Sequence, residues 1–380
     1  GEKFLEKYNF QLINMYLVLI LTCILLYYFN KNNNSRKTIK NYVIFITLLL
    51  VAVSGFRHEA VGNDTYAYMR AFDNFSASWS DIFIDFWDAY LNPGVNGNGK
   101  DPGEQVIIKT LTYVIPNSRC FLFVVSVMLL IPLGVFVYRN SETLETPCFF
   151  YVFYITMFYP YLPNSAIRQS FALTLLLIGF LLLQKGKWKS FLALLFIATF
   201  IHKSIFIAIL ILPFYYLKQT RVYYRLSLLL FVMMLFTYQY VGILLSAQSE
   251  IYEMYGTGVF YAYNQSVPYM VILMMFGLYL VGWLGIKNDD EAVDMRLMYG
   301  GAAMSLVWVV MVRLDPSLIR MTAYFGPWMG LMVPHALRKW KPNSFETIFA
   351  LILIIFTIRA FITPDNYHFM WQEMKLHDRY

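Results

Sequence analysis

Apolar runs of about 17 to 22 residues alternate with short polar stretches along most of the chain. A helix rises about 1.5 Å per residue, so about 20 apolar residues cross the roughly 30 Å of hydrocarbon in a bilayer. The pattern therefore predicts an all-α polytopic membrane protein with about 11 to 12 transmembrane segments, organised as a single integral membrane domain over residues 1–380. The predicted spans are 11–29, 42–56, 119–138, 148–163, 167–184, 190–217, 226–245, 268–286, 297–312, 321–337 and 344–362.

Basic residues concentrate in short loops between these spans and indicate the orientation of the chain. Lys and Arg cluster at 31–40, 185–189, 218–225 and 338–341. Cytoplasmic loops of membrane proteins carry an excess of these residues. We therefore expect all of these loops on the cytoplasmic side and the alternate loops on the outer side.

The apolar segment 190–217 can satisfy this orientation only if it is broken. His202 and Lys203 divide it into halves of about 12 to 14 residues, and each half rises only about 18 to 21 Å. Broken helices occur where irregular backbone lines a protected, wet cavity. A single tilted helix is the alternative, but it would place two basic loops outside. We therefore favour a segment that enters the membrane and returns.

The longest polar stretch, 57–118, is predicted to be an outer loop that contains an interfacial helix. Residues 78–90 separate into an apolar face and an acidic face at helical spacing, which is typical of a helix lying on a membrane surface. The apolar face comprises Trp79, Ile82, Phe83, Phe86, Trp87 and Tyr90, and the acidic face comprises Asp81, Asp85 and Asp88.

Composition supports the membrane assignment and removes other functions. Hydrophobic residues make up 59% of the chain and charged residues 14%, whereas soluble domains carry about 25% charged residues. The net charge of +7 would suggest a nucleic-acid partner in a soluble protein, but here the cations lie in loops and nucleic acid is not expected. The three cysteines lack metal-binding spacing, so no metal site is predicted. Aromatic residues reach 19%, enough for some to stack on sugar rings.

Arg57 opens the outer loop and is followed by Gly62, Asp64 and Tyr68. In the simplest interpretation Arg57 extends to the membrane interface and the loop is solvated. The alternative is an arginine aimed at an anion, with a carboxylate held nearby by a glycine turn. The residues alone leave both interpretations open.

Arg168 and Gln169 open a predicted span directly after Pro163 and Asn164, which would cap that helix. A cation in an apolar helix usually faces a cavity or a partner. A helix N-terminus favours anions, and an Arg side chain there adds bidentate contacts to a phosphate. Extension of Arg168 to the membrane interface is the competing interpretation.

The turn 312–325 repeats this combination late in the chain, with Arg313, Asp315, Arg320 and Tyr324. An internal ion pair between an arginine and Asp315 is the simplest expectation there.

His202, in the middle of the broken segment, is either a hydrogen-bond node or a general base, because a neutral imidazole in a crevice can accept a proton.

These motifs, in this order, resemble the Wzy superfamily of polysaccharide polymerases, in particular its EpsG-like branch. That pattern carries R-x4-G-x-D followed by tyrosines, an E-P-G-like element, I-R-Q at the start of a span, F-H-x-S, and a late arginine with a tyrosine. Asp101 stands where the pattern usually has Glu, and Ile201 where it usually has an aromatic residue. The matching residues, within 40–370, are Arg57, Gly62, Asp64 and Tyr68; Asp101, Pro102 and Gly103; Ile167, Arg168 and Gln169; Ile201, His202 and Ser204; and Arg320 with Tyr324.

The resemblance implies a glycosyltransferase-C-like fold in a bacterial inner membrane, with its active site facing the periplasm. It implies polymerisation of undecaprenyl-diphosphate-linked repeat units, with inversion and without a nucleotide sugar, cofactor or metal. The lipid bilayer, the lipid-linked glycans and a chain-length-regulating co-polymerase are the implied partners. The expected catalytic residues are Asp64, His202 and Arg168, and the expected substrate-binding residues are Arg57, Gln169, Arg313, Arg320, Tyr324 and Tyr68.

The chemistry of such a transfer suits these residue types. A lipid diphosphate leaving group develops negative charge, which arginines stabilise; Arg168, Arg320 and Arg313 are the candidates. The attacking hydroxyl needs a base, for which Asp64 and His202 both qualify. Arg57 would orient Asp64 or hold the diphosphate of the acceptor lipid.

Two other functions use similar residues. An O-antigen ligase shares the donor, but ligases tend to have a large periplasmic loop late in the chain, whereas the longest loop here is early. A lipid-linked oligosaccharide flippase or transporter would usually show two halves with matching interruptions, and only one broken segment is evident. The pattern therefore favours the polymerase.

Overall fold

The computed structural model describes residues 14–90, 102–246, 269–286, 292–363 and 367–372, and it is almost entirely helical. Within these residues the only extended pairing is one isolated antiparallel bridge between Arg57 and Phe369. The helices are α1 (Met15–Asn30), α2 (Arg36–Gly55), α3 (Thr65–Asp73), α4 (Trp79–Tyr90), α5 (Gly103–Thr112), α6 (Ser118–Arg139), α7 (Glu145–Met157), α8 (Ile167–Gln184), α9 (Trp188–Ile201), α10 (Leu212–Tyr216), α11 (Thr220–Ser246), α12 (Tyr269–Gly285), α13 (Val293–Val309), α14 (Ile319–Thr322), α15 (Gly326–Trp340) and α16 (Phe345–Ile362). Short 3-10 helices cover Lys203–Ile211, Val310–Arg313, Pro316–Leu318 and Pro342–Ser344.

Polar side chains set the start of several helices. Free N–H groups in the first turn of a helix need acceptors, and Asn and Ser supply them from the position before the helix. The side chains of Asn14, Ser35 and Asn117 accept hydrogen bonds in this way at the starts of α1, α2 and α6. Short polar residues between apolar runs therefore mark these helix boundaries.

Six helical segments among the described residues are long and apolar enough to cross a membrane. They confirm the prediction of a polytopic all-α membrane protein. Shorter apolar helices include α1, α9 and α12. The predicted span 148–163 forms the 13-residue helix α7, which is about 20 Å long and almost wholly buried by its neighbours. Its interior position explains why it is apolar on every face.

The basic loops lie together at one end of the helix bundle, which we call the basic end. For example, the guanidinium of Arg36, the first residue of α2, donates to the carbonyl oxygens of Tyr138, in the last turn of α6, and Ser141, just after α6. Because these contacts join loops distant in sequence, the helix ends that carry cations share one side. The contacts that hold this end are Lys31 with Glu346, Arg36 with Tyr138, Asn140 with Gln184, Tyr215 with Arg296, and Glu145 with Arg338.

The segment 190–217 folds back on itself as a hairpin. Helix α9 ends at Ile201, and His202 adopts an extended conformation with φ −156° and ψ 106°. The chain then returns through a 3-10 helix and α10. The rings of Trp188 and Tyr216, at the two ends of the hairpin, lie 6.5 Å apart. The hairpin therefore begins and ends at the basic end and carries His202 at its tip, which excludes a single continuous helix.

The predicted interfacial helix corresponds to α4, but its aromatic residues divide between two environments. Trp79, Phe83 and Trp87 expose about half or more of their surface. Phe86 and Tyr90 instead pack against Phe200 of the hairpin, at ring distances of 5.6 and 5.0 Å. The single apolar face expected from the sequence therefore serves both as a surface and as a contact with the hairpin.

Candidate functional site

The outer-loop motif and the turn before α8 are in direct contact. Gly62 has a positive φ of 87°, and a Cβ there would overlap the carbonyl group of Asn164. The Thr65 hydroxyl donates to the same Asn164 carbonyl oxygen at 2.6 Å. Glycine is required at position 62 both for the turn and for this close approach. The R-x4-G-x-D motif is thereby fixed beside the start of α8.

Arg57 lies inside this junction, and no hydrogen bond or salt bridge joins its side chain to Asp64. Its side chain is 2% exposed, and its guanidinium donates to the carbonyl oxygen of Ser54 at 2.5 Å and to the Ser54 hydroxyl at 3.2 Å. Its Nε also lies 3.5 Å from the Thr65 hydroxyl. Burial lowers the pKa of Arg57 to about 10, so it stays charged at neutral pH. The structure therefore places Arg57 where it holds the end of α2 against the loop.

Arg168 contacts side chains from two other helices. Its Nε donates to the Tyr68 hydroxyl of α3 at 3.1 Å and lies 3.3 Å from a carboxylate oxygen of Glu104 on α5. Arg168 is the second residue of α8, where free backbone N–H groups favour negative charge. Tyr68 and Arg168, both predicted from the sequence, are thus brought together by the fold.

Tyr68 is fixed in its neutral form by this environment. Burial raises the pKa of Tyr68 to about 12, although the nearby Arg168 cation lowers it. The hydroxyl therefore keeps its proton at neutral pH and accepts from Arg168. A phenol in this state can also donate a hydrogen bond to an oxygen of a substrate.

Helix α5 is held against the tip of the hairpin by a glycine. A Cβ on Gly103 would lie 2.6 Å from the carbonyl carbon and oxygen of Phe200 and 2.9 Å from the nitrogen of Ile201. The next two residues have different partners. The Glu104 carboxylate lies beside Arg168, and the Gln105 amide donates to Asp85 on α4 at 2.7 Å. The Pro-Gly element thus joins the outer loop to the residues directly before His202.

Gln169 connects α8 to the late arginine. Its side-chain amide donates to the backbone carbonyl oxygen of Arg320 at 2.6 Å, and Gln169 is buried. The Nε of Arg320 donates to the carbonyl oxygen of Ser317 at 3.0 Å. Because Gln169 follows Arg168 directly, this bond brings Arg320 to the same end of α8 as Arg168.

The last predicted tyrosine contacts the hairpin tip. The hydroxyls of Tyr324 and Ser204 form a hydrogen bond of 2.7 Å, and Tyr324 is fully buried. Ser204 is two residues beyond His202, so this bond joins the F-H-x-S motif to the segment that carries Arg320. The candidate site is thus built from α3, α5, the start of α8, the hairpin tip and the turn before α15.

The two candidate bases lie at different points of this site. Asp64 directly precedes α3, is partly exposed, and makes no side-chain hydrogen bond or salt bridge within the described part of the chain. His202 lies at the hairpin tip, where its backbone is extended and its side chain is partly buried. Asp101, which the motif comparison aligned with the usual Glu, lies outside the described residues.

Arg313 makes its contacts with α11. Its guanidinium donates to the carbonyl oxygen of Leu235 at 2.8 Å and lies 4.2 Å from the ring centre of Tyr238. The expected ion pair with Asp315 is not formed, since the Asp315 carboxylate accepts from the backbone nitrogen of Ser317 at 2.7 Å. The contacts with α11 therefore explain the position of the Arg313 side chain. Asp315 caps the start of the 3-10 helix Pro316–Leu318.

Glu104 is the site residue that the motif comparison missed. The family motif has its acid before Pro-Gly, a position held here by Asp101, whereas Glu104 follows Pro102 and Gly103. The only sequence signal for Glu104 is its place in the first turn of a helix, where negative charge is favoured, and that signal does not identify a partner. Within the described residues, no group of three or more His, Cys, Asp or Glu side chains is arranged to hold a metal.

Comparison with known proteins agrees with the motif analysis. A family model described as the EpsG family matches residues 40–364, which is most of the chain. EpsG is a Wzy-like polymerase family, so the resemblance drawn from the motifs is confirmed. No curated protein and no solved structure gives a significant match.

Proposed function

The chain belongs to the EpsG family, and from that premise we propose that it is a membrane glycosyltransferase that polymerises undecaprenyl-diphosphate-linked oligosaccharide repeat units. The growing glycan passes from its lipid diphosphate to a sugar hydroxyl of the next unit. One observation carries the proposal: Arg168, at the start of α8, contacts Tyr68 of the outer-loop motif and Glu104 beside the Pro-Gly element, and the adjacent Gln169 donates to the backbone of Arg320.

The cations of the site would stabilise the leaving group. As the bond between the anomeric carbon and the diphosphate oxygen breaks, negative charge develops on the diphosphate. Arg168 and the first N–H groups of α8 offer positive charge at one point, and Arg320 lies next to them through Gln169. Arg313 packs against α11, so we assign it an indirect part through the turn that carries Arg320.

The attacking group is a sugar hydroxyl of the acceptor unit. Its oxygen forms the new bond to the anomeric carbon while its proton passes to a base, and the diphosphate leaves with the bonding electrons. Asp64 and His202 are both retained as the base, because each is partly accessible within the site. A single in-line displacement inverts the anomeric carbon, as the family resemblance implies, and the proposal includes no cofactor or metal.

The remaining polar residues would orient the substrates. Tyr68 and Tyr324 supply hydroxyls, one on α3 in contact with Arg168 and one beside Ser204 of the hairpin. Gln169 sets the position of the Arg320 backbone. Arg57 would stabilise the site indirectly, because its contacts with Ser54 and Thr65 hold the loop that carries Asp64.

The distribution of charge supports an outward-facing site. The basic loops share one end of the bundle, and the residues of the candidate site share the other. Since Lys and Arg loops stay in the cytoplasm, the site would face the periplasm from a bacterial inner membrane. Lipid-linked glycans would then enter from the outer leaflet, and a separate co-polymerase would set the chain length.

The direct test is reconstitution. Purified protein in liposomes is incubated with lipid-diphosphate-linked repeat units, with and without lipid A core, and the products are separated by size. A ladder of increasing glycan length is expected. Products extended by a single transfer onto lipid A core would indicate a ligase, and movement of intact units across the bilayer without elongation would indicate a flippase; either result would refute the polymerase.

A further inference from the structure

We infer that Glu104 is a positioning residue for Arg168, an inference that rests on the function proposed above. A Glu104 carboxylate oxygen lies 3.3 Å from the Nε of Arg168. The side chains are 13% and 21% exposed, so the pair is largely shielded from water. Shielding from water strengthens the attraction between the two charges relative to that of an ion pair on the surface. The ion pair can therefore hold the Arg168 side chain in one orientation.

The point of contact determines what Glu104 can do. Both Glu104 and Tyr68 contact Arg168 at Nε, the atom at the base of the planar guanidinium. Contacts from two helices at this atom define the plane of the group. An arginine binds a phosphate through two parallel N–H bonds, so its affinity for a transition state depends on the direction of that plane.

Glu104 is itself held by its neighbours along α5. Gly103 packs on the backbone of Phe200, and Gln105 donates to Asp85 on α4. The carboxylate is consequently placed by the docking of α4 and α5 on the hairpin tip. Orientation of Arg168 is thus coupled to the same contacts that set the position of His202.

Loss of Glu104 should affect catalysis and binding differently. Without the carboxylate the plane of Arg168 is less defined, and misplacement by about 1 Å can reduce a rate about 100-fold. The negative charge that offsets Arg168 is also lost, so attraction for a diphosphate in the ground state is kept or increased. We therefore expect kcat to fall while KM stays the same or decreases.

The experiment compares steady-state polymerisation by the wild type, Glu104→Gln and Glu104→Ala. Gln keeps an oxygen that can lie beside Nε, so Glu104→Gln should retain most of the rate, whereas Glu104→Ala should lower kcat by about 10- to 100-fold without raising KM. Asp88→Asn is the matched control, because it removes a carboxylate from α4 that makes no side-chain hydrogen bond or salt bridge within the described residues. Its kinetics should equal those of the wild type.

Three outcomes would overturn the inference. Equal loss in both Glu104 variants, with disappearance of the acidic limb of the pH–rate profile, would show that Glu104 accepts the proton itself. Unchanged kcat per folded molecule with a lower melting temperature would show a structural role. Wild-type kinetics in Glu104→Ala would show no role, whereas a wild type that makes no ladder would overturn the proposed function as well.

Discussion

The rings of Trp188 and Tyr216 lie 6.5 Å apart, although they stand at opposite ends of one long apolar segment. This distance requires the segment to return to the side from which it started. His202 lies at the tip of this reversal, close to Phe200, which packs against helices α4 and α5 of the outer loop. The orientation of every later helix depends on this reversal.

The reversal predicts which residues are accessible from outside. Asp64→Cys and His202→Cys should react with a membrane-impermeant maleimide added to intact cells, whereas Lys187→Cys at the basic end should react only after permeabilisation. The background variant is Cys120→Ser, because Cys120 is exposed and Cys23 and Cys148 are buried. Labelling of His202→Cys from the cytoplasm alone would contradict the proposed orientation.

Arg168→Ala and Arg320→Ala should abolish the glycan ladder. Removal of one group that stabilises developing negative charge typically costs about 100- to 1,000-fold in rate. Both variants should still elute as folded protein in detergent. Arg70→Ala provides the control, since Arg70 is an exposed cation on α3 and should retain activity. Full activity in both site variants would refute the leaving-group assignment.

Gln169→Leu should lower both stability and activity. The substitution preserves side-chain size but removes the donor to the Arg320 carbonyl oxygen, and an unpaired buried acceptor costs about 1 to 3 kcal/mol. Thermal unfolding in detergent and the polymerisation rate measure the two effects. Gln219→Leu changes an exposed glutamine and should leave both unchanged. A stable Gln169→Leu with wild-type rate would show that the bond is dispensable.

Gly62→Ala should destabilise the junction between the outer loop and α8. A positive φ costs a non-glycine residue about 1 to 2 kcal/mol, and the added methyl would also overlap the Asn164 carbonyl. We expect a lower melting temperature and loss of activity. Gly277→Ala tests a helical glycine whose new Cβ would come within 4 Å of no atom outside its own stretch of helix, and it should be tolerated. Equal behaviour of the two variants would argue against the junction.

Stability should fall in acid partly because of His58. Burial lowers the pKa of His58 below 6.5, and its Nδ1 accepts from the Ala60 nitrogen at 3.1 Å. The unfolded chain therefore binds this proton first, so the stabilising contribution is complete above pH 6.5 and is lost as the pH falls through the folded-state pKa. Melting temperatures of the wild type and His58→Gln across this range should converge in acid. Parallel curves would exclude a contribution from His58.

The hydropathy pattern was sufficient for the class of the protein. The membrane spans, the basic loops and the helix 79–90 follow from the apolar fraction and the spacing of residues that are neighbours in sequence. The bilayer acts on each such segment by its own composition. The family motifs likewise identified Arg168, Gln169 and Tyr324 as candidates before any contact was known. Each of these inferences depends only on residues close in sequence.

The tertiary structure alone decided which of those residues meet. The burial of Arg57, the contact of Arg313 with α11, and the pairing of Glu104 with Arg168 each depend on how distant helices pack and where side chains point. Composition contains no measure of such directions, because the same apolar helix can pack on any neighbour of suitable shape. The motifs could supply the chemical groups of the site, but the packing of the helices supplied their arrangement.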